Sequence, residues 1–464
     1  MAIRVYDSLT RQTRPLEPRV PGRVSIYTCG VTPYDQSHLG HARPAVVWDA
    51  IRRHLMRRGY FVTFVQNFTD IDDKLIRRAA ELGRSVDDVA RQFIMEYERL
   101  MDQLSVMPPD FAPRVTDNIE SIVAYIQKLV EQGGAYAAEG SVYFRVRNDP
   151  EYGKLSGRRL DEMLEGVRVD VEPEKEYPGD FALWKAAQPE EPAWPSPWGA
   201  GRPGWHIECS AMSQRYLGDA FDMHGGGMDL LFPHHENERA QSRAYLGHEA
   251  VNVWIHSGLI TRGGVKMSKS LKNGIAMEQL LERYAGHVLR TYLLSVHYRH
   301  PLDFEEQNLD SWQTALERIY RLWQDVQEAP AAGTLVAADW AASLVHFEER
   351  FLAAMDDDFN TAKAFAEVFD MVTATYRGIN AGHAEMAKGL ARRNLLAADQ
   401  ILRFLPDRTE FGDDRLAEVL LARRNQARKD KNFALADVLR DTLVEAGYEV
   451  LDGADGTRIR RLGQ

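Results

Sequence analysis

The stretch Phe221–Glu238 gathers a Gly-rich turn, three histidines and several carboxylates into eighteen positions. The residues after Pro233 predict a helix ending near Gly247 as a C-terminal cap. On it His234 and Glu238 stand four positions apart, so both side chains leave one face a turn apart. That is the spacing of a helical metal-ligand pair, and equally of a solvated surface pair. The chain has two cysteines, Cys29 in Tyr-Thr-Cys-Gly and Cys209 in Gly-Trp-His-Ile-Glu-Cys-Ser. Two thiolates with His234 and Glu238 would complete a four-ligand site suited to Zn²⁺. The alternatives are two inert buried thiols or one disulfide. Nothing marks the chain as secreted, which counts against the disulfide.

A second set of residues suits polyphosphate. Residues 23–29 alternate like a strand, a helix is expected from about Ala42 to Arg58, and residues 60–68 give a second strand. Strand, helix and strand of these lengths read as a βαβ unit of a parallel sheet, whose ligands bind beyond the carboxyl ends of the strands. His38-Leu-Gly-His41 falls there. Two imidazoles at a helix N-terminus could hold phosphate, with Gly40 letting a ligand approach the backbone. A polar loop with incidental histidines is the alternative. A strand over Asn252–Ile260 leads to Thr261-Arg-Gly-Gly-Val-Lys-Met-Ser-Lys-Ser270. On that Gly-hinged loop Lys266 and Lys269 could grip phosphate as point charges, with hydrogen bonds from Ser268 and Ser270. A solvated Lys/Ser loop has the same composition.

These groups need a framework. At 464 residues the chain exceeds one core, and about two to four domains are expected. Hydrophobic content of 44% and charged content of 27% fit a soluble globular protein. No apolar run approaches membrane-spanning length, and the N-terminus lacks a signal-peptide core, so a cytoplasmic location is expected. The net charge of −11 argues against a generally basic coat for nucleic acid, though not against a local basic face. Helices are predicted at about 70–82, 86–105 and 116–132, the second capped by Ser85 with Asp88 three residues on. Gly140–Arg147 reads as a strand of an inserted subdomain. Residues 188–205 lack periodicity, and their three tryptophans favour a packed loop. From about 311 to 405 the pattern is that of a helical bundle, with Ala354–Thr361 as a junction between helices. Arg423, Arg424, Arg428, Lys429 and Lys431 are predicted on one basic helix, either a solvated face or a phosphate contact, followed by a short hairpin ending at Arg461.

Taken together, the chain resembles the cysteinyl-tRNA synthetases, class I aminoacyl-tRNA synthetases, from near Arg4 to Arg461. The matching motifs are Tyr27-Thr-Cys-Gly-Val-Thr, His38-Leu-Gly-His41, Asn67-Phe-Thr-Asp-Ile-Asp-Asp-Lys74 and Gly204-Trp-His-Ile-Glu-Cys-Ser210. His224-Gly-Gly-Gly-Met-Asp229, Phe232-Pro-His-His-Glu-Asn-Glu238 and Lys266-Met-Ser-Lys-Ser270 complete the set. Leu39 stands where isoleucine is usual, and Lys272 where glycine is common. Neither supplies an expected contact atom.

The resemblance implies an α/β fold. A Rossmann-like parallel-sheet catalytic domain spans 1–310, with an inserted subdomain at about 115–200 and a junction bearing the Lys-Met-Ser-Lys-Ser loop at about 250–310. A helical bundle at 311–405 and a small α+β anticodon-binding domain at 406–464 follow. It implies that Cys29, Cys209, His234 and Glu238 hold one zinc ion. His38 and His41 would stabilise the transferring α-phosphoryl group, and Lys266 and Lys269 would neutralise the phosphates of ATP, with Mg²⁺ accompanying the nucleotide. Gly227 and Asp229 would hold the nucleoside, and Thr69 and Trp205 would wall the amino-acid pocket. The implied partners are L-cysteine, ATP and tRNA(Cys), for a monomer with no membrane association. Four protein ligands normally close a zinc site, so substrate entry would require a fifth position or a loosened Glu238. Two other readings are a cysteine-activating ligase of mycothiol synthesis and a non-catalytic paralogue that binds zinc, cysteine or tRNA.

Overall fold

The computed structural model describes residues 2–159, 173–189, 191–267, 274–330, 336–406, 421, 424–429, 431–445, 448–453 and 456–461. The chain divides into two units, Met1–Phe404 and Leu405–Gln464. At the centre of the first lies a four-stranded parallel sheet: β1 (Arg23–Thr28), β2 (Phe61–Gln66), β3 (Phe221–Gly227) and β4 (Val251–Ser257). The spatial order is β4-β3-β1-β2. Helix α1 (Leu39–Arg57) makes the first crossover, while α2 (Trp205–Leu217) and α3 (Glu236–Leu246) flank β3 in the chain. The chain runs outward from β1 to β2, then returns to β3 on the other side of β1 and continues to β4. The carboxyl ends of β1 and β3 therefore form the topological switch point, where open α/β sheets bind ligands.

All seven residues of β3 are buried, although it reads Phe-Asp-Met-His-Gly-Gly-Gly. The expected Gly-rich turn is thus the end of a central strand. A Cβ on Gly225 would stand 2.2 Å from the Trp48 ring of α1 and 2.5 Å from the Ile255 carbonyl oxygen, so helix and strand meet only where side chains are absent. Asp222 is satisfied from the neighbouring segment, accepting from the Ser25 amide at 2.8 Å, the Ser25 hydroxyl at 2.7 Å and the Arg19 amide at 2.7 Å.

Helix α1 begins at Leu39, earlier than the expected Ala42. His38 is its N-cap: its Nδ1 accepts from the Gly40 amide at 3.1 Å, and the His38 amide donates to His41 Nδ1 at 3.4 Å. Histidine performing the task of serine or aspartate hides the start from sequence rules. Ser85 does cap Val86–Gln103, accepting from the Asp88 amide at 3.1 Å.

The inserted subdomain is an antiparallel sheet of Ala135–Ala138, Ser141–Phe144, Phe181–Ala186 and Gly201–Pro203. Its second strand ends at Phe144, before a 3₁₀ turn at Val146–Asn148, and is shorter than expected. Of the three tryptophans in the expected loop at 188–205, Trp194 and Trp198 pack partly against the core, whereas Trp205 begins α2 and is exposed. The loop also contributes the edge strand, and Trp194 exchanges backbone hydrogen bonds of 2.7 and 3.0 Å with Gly201.

The strand expected over Asn252–Ile260 is two elements. β4 stops at Ser257, where the Gly258 amide turns to the Tyr298 carbonyl at 2.7 Å, and a Cβ on Gly258 would lie 2.3 Å from the His300 carbonyl oxygen. Ile260–Arg262 then joins a small sheet with Val265–Lys266 and Leu302–Asp303. Ser268, Lys269 and Ser270 lie outside the described residues, as does the side chain of Lys266.

Helices Glu306–Val326, Asp339–Val345, Phe347–Asp356, Thr361–Asn380 and Ala384–Leu402 follow. The junction expected at Ala354–Thr361 is present, with left-handed backbone at Asp358 (φ 58°) and Phe359 (φ 52°). Asp356 accepts from His54 Nε2 at 3.0 Å and Arg58 Nε at 2.9 Å, fastening the end of α1 to the bundle. No described helix is long and apolar enough to cross a membrane.

The second unit contains helix Phe433–Glu445 and an antiparallel hairpin of Tyr448–Gly453 and Gly456–Arg461. The basic residues do not share one helix. Arg424 is buried, Lys431 sits in a turn with φ 57° before Phe433, and Arg423 lies outside the described residues.

Candidate metal centre and nucleotide site

Cys29 follows the last residue of β1, and its amide donates to the Gly225 carbonyl oxygen of β3 at 3.3 Å. Cys209 lies within α2. His234 sits in a wide turn, Leu231–His235, that precedes α3, and Glu238 sits in the first turn of α3. One ligand atom from each of the four lies within 4.8 Å of all the others. Sγ of Cys29 is 3.4 Å from Sγ of Cys209 and 3.3 Å from Oε1 of Glu238. His234 Nε2 is 3.6 Å from Cys209 Sγ and 3.0 Å from Glu238 Oε1. Ordinary zinc bond lengths give tetrahedral edges of about 3.8 Å between sulfurs, about 3.5 Å from sulfur to nitrogen and about 3.3 Å from nitrogen to oxygen. The observed edges match these within a few tenths of an ångström, so the donor set fits a tetrahedral ion.

Cys29, His224, His235 and Glu238 form a second, overlapping group. There, however, His224 Nε2 is bonded to the far oxygen of Glu238, Oε2, at 2.7 Å. His224 thus orients the carboxylate from outside, as partners of metal ligands commonly do. His206 Nδ1 lies 3.0 Å from His234 Nδ1, which leaves His234 Nε2 toward Cys209 Sγ and Glu238 Oε1. His235 Nδ1 turns away to His256 Nε2 at 2.8 Å. Neither His224 nor His206 stood out as a site residue by sequence reasoning, although both lie in motifs quoted for the resemblance.

The electrostatics suit a cation. Burial, then neighbouring sulfur and carboxylate, push the Cys29 thiol well above its ordinary value, and burial pushes Cys209 to about 11. Burial lowers His234 to about 3, leaving a neutral imidazole that can act as a ligand. Burial opposes ionisation of Glu238, but His224 and His234 beside it hold its carboxyl below the usual range. A dication reverses the penalty on both thiolates.

Beside the cluster, Trp205 stacks on the His234 ring at 4.1 Å between centroids, with 38% of its surface exposed. Thr69 is buried and donates to Glu208 Oε2 at 3.0 Å. Burial raises the Glu208 carboxyl well above its usual value.

His38 and His41 stack with ring centroids 3.8 Å apart and planes 19° apart. Gly40 has a reason beyond ligand access: a Cβ there would be 2.9 Å from the His38 ring. The segment after the Lys/Ser loop returns to this turn, with the Leu39 amide donating to the Ile275 carbonyl at 3.2 Å and Met277 to Ser37 at 3.0 Å. Arg43, buried and two residues beyond His41, donates to the carbonyl oxygens of Gly258 (2.8 Å), Leu259 (3.0 Å) and His300 (2.6 Å). Gly227 ends β3, and a Cβ there would lie 2.4 Å from Asp229 Oδ1.

Residues 15–314 match the family of class I (C) tRNA synthetase catalytic domains, and residues 350–404 match the DALR domain. The chain is 48% identical to the cysteine–tRNA ligase of Alkalilimnicola ehrlichii, over 99% of this chain and 100% of that one. The chain belongs to the cysteine–tRNA ligase family. It is 47% identical to the cysteine–tRNA ligase of Symbiobacterium thermophilum, over 99% of this chain and 100% of that one. As a member of that family it is an enzyme, an ATP-dependent ligase. The class I synthetase fold extends beyond close relatives: a Mycobacterium tuberculosis methionyl-tRNA synthetase structure superposes with a TM-score of 0.64 at 15% identity, covering 89% of this chain and 96% of that one.

Proposed function

We propose that this chain activates L-cysteine with ATP, giving cysteinyl-adenylate and pyrophosphate, and then transfers cysteine to the terminal hydroxyl of tRNA(Cys). The observation that carries the reading is the four-ligand cluster of Cys29, Cys209, His234 and Glu238 at the switch point of the sheet. Zinc held there would supply a soft cation that prefers a substrate thiolate over a hydroxyl and favours thiol ionisation. Shape alone separates serine from cysteine by about 1–3 kcal/mol, whereas rejection by four orders of magnitude needs about 5.5 kcal/mol. His224 holds the far oxygen of Glu238, so the carboxylate is gripped and not loose.

The first step needs no protein nucleophile. The substrate carboxylate attacks the α-phosphorus and pyrophosphate leaves, so the protein's task is positioning and charge stabilisation. His38 and His41, stacked at the N-terminus of α1, present imidazole donors toward developing phosphoryl charge, with the helix N-terminus adding its own. Lys266 and Lys269 neutralise the phosphates, Gly227 and Asp229 hold the nucleoside, and Thr69 and Trp205 bound the amino-acid pocket. Mg²⁺ accompanies ATP. Residues 1–310 form the catalytic domain with the inserted subdomain, 311–405 the bundle, and 406–464 the anticodon-binding part of a cytoplasmic monomer. The second unit, with its helix and hairpin, supports a tRNA ligase over a mycothiol-pathway ligase, which would be expected to lack it.

Cysteine-dependent ATP–pyrophosphate exchange, measured with and without tRNA, tests the proposal. Exchange followed by charging of tRNA(Cys) supports it. Exchange without transfer removes the tRNA ligase reading, and absence of exchange favours a binding paralogue.

A further inference from the structure

We infer that an open groove of about 710 Å³ between the N-terminal hairpin, Arg4–Asp7 paired with Gln12–Pro15, and residues 150–159 is a docking site for the phosphodiester backbone of the tRNA substrate. The inference rests on the tRNA-charging reading above. Four exposed cations, Arg11, Lys154, Arg158 and Arg159, line the groove against one carboxylate, Glu151. Glu151 is already shared among cations, with Lys154 at 3.1 Å, Arg239 at 2.7 Å and Arg243 at 2.8 Å. Among the described residues, Arg11, Arg158 and Arg159 have no carboxylate partner. In a chain of net charge −11, guanidinium groups that meet no carboxylate among the described residues suit a polyanion.

Two of the arginines rest against neighbouring groups. Arg11 adopts a left-handed backbone, φ 56°, and its guanidinium lies directly against Gly157. A Cβ at Gly157 would stand 1.9 Å from Arg11 Nη2, so a larger residue there would displace the guanidinium. Arg158 lies over the ring of Phe232, 4.5 Å from its centroid, a cation–π contact. A guanidinium already positioned loses less freedom when it meets phosphate.

The groove is also coupled to the metal centre. Phe232 lies two residues before His234, and the Ser156 amide donates to Glu236 Oε2 at 2.7 Å. The Tyr152 hydroxyl bonds to Asn237. The segment that walls the groove therefore braces the turn and helix that carry His234 and Glu238. Separate cations spread along an open wall suit spaced phosphodiesters better than a single buried anion.

The test uses the full chain with Arg11→Ala, Arg158→Ala and Arg159→Ala, singly and combined. The KM for tRNA in charging should rise, by about tenfold in the triple variant, and the salt slope of log KM should fall by about one per arginine removed. Exchange without tRNA should keep its parental rate, and Arg158→Lys should keep most of the salt slope. An unchanged KM and slope in the triple variant overturn the proposal. Equal loss of exchange does so too, since the arginines would then only support the site. If inorganic tripolyphosphate binds the parental chain and not the triple variant, while the KM for tRNA is unaltered, the groove takes small polyphosphates and RNA docking is overturned. A parental chain that exchanges but never charges tRNA defeats the functional reading itself, and is distinguished before any variant is made.

Discussion

Cys29 and Cys209 bring their sulfur atoms to 3.4 Å of each other as two free thiols, one following a strand and the other inside a helix. Burial raises both thiols above their ordinary values, and a shared cation would relieve them.

Replacing one sulfur should therefore empty the site. Cys209→Ser is expected to lower zinc content, measured by mass spectrometry of the purified chain, and to weaken cysteine binding. Full metal occupancy in that variant would refute the ligand assignment.

His224 should act through Glu238 and not as a ligand. His224→Ala is expected to reduce zinc affinity by about 10–100-fold, as loss of an outer partner does, while saturating metal restores one zinc per chain. A variant that cannot be reloaded at any zinc concentration would make His224 a ligand instead.

The stacked pair at α1 should serve the chemical step. His41→Ala is expected to slow exchange by about 10²–10³-fold with little change in the KM for cysteine, the pattern of a lost transition-state donor. If the KM rises and the maximal rate holds, the histidine binds substrate uniformly.

Asp49 gives a stability test far from the metal. It accepts from Arg53 Nε at 2.7 Å and the Met107 amide at 2.8 Å, and pairs with buried Arg290. Burial opposes its ionisation, but Arg53 and Arg290 bring its carboxyl down to about 2. A depressed folded value means stability that is complete above an unfolded value of about 4 and lost as pH falls through about 2. Asp49→Asn should cost about 3–5 kcal/mol at pH 7, because it strands Arg290. The gap to the parent, measured by denaturant unfolding, should narrow by about 2 kcal/mol as pH drops from 4 to 2. A gap that is constant over that window would contradict the pairing.

Removing residues 406–464 is expected to impair tRNA charging far more than exchange. Equal loss of both would give the tail a structural role.

The sequence made the parallel βαβ unit, the inserted strands and the bundle legible, because hydrophobic period and turn residues report them directly. It also supplied four residues that fold within reach of one atom: the His234/Glu238 spacing and the two cysteines suggested them, and the family resemblance chose that reading over inert thiols or a disulfide. The misreadings have tertiary causes. Gly225–Gly227 reads as a turn until Trp48 is packed against it, and the start of α1 is hidden by a histidine cap. Gly258 leaves β4 by bonding its amide to the carbonyl of Tyr298, a residue distant in the chain. His224 and His206 were invisible as partners because orientation of a ligand leaves no periodic trace.

Arg43 fixes what can move. Its guanidinium is bolted to the backbone just before Ile260–Arg262 and just before Leu302–Asp303, while its own helix turn carries His41. The small sheet leading into the Lys/Ser loop and the histidine turn therefore share a pivot. Any shift of that small sheet would therefore be felt at the two imidazoles.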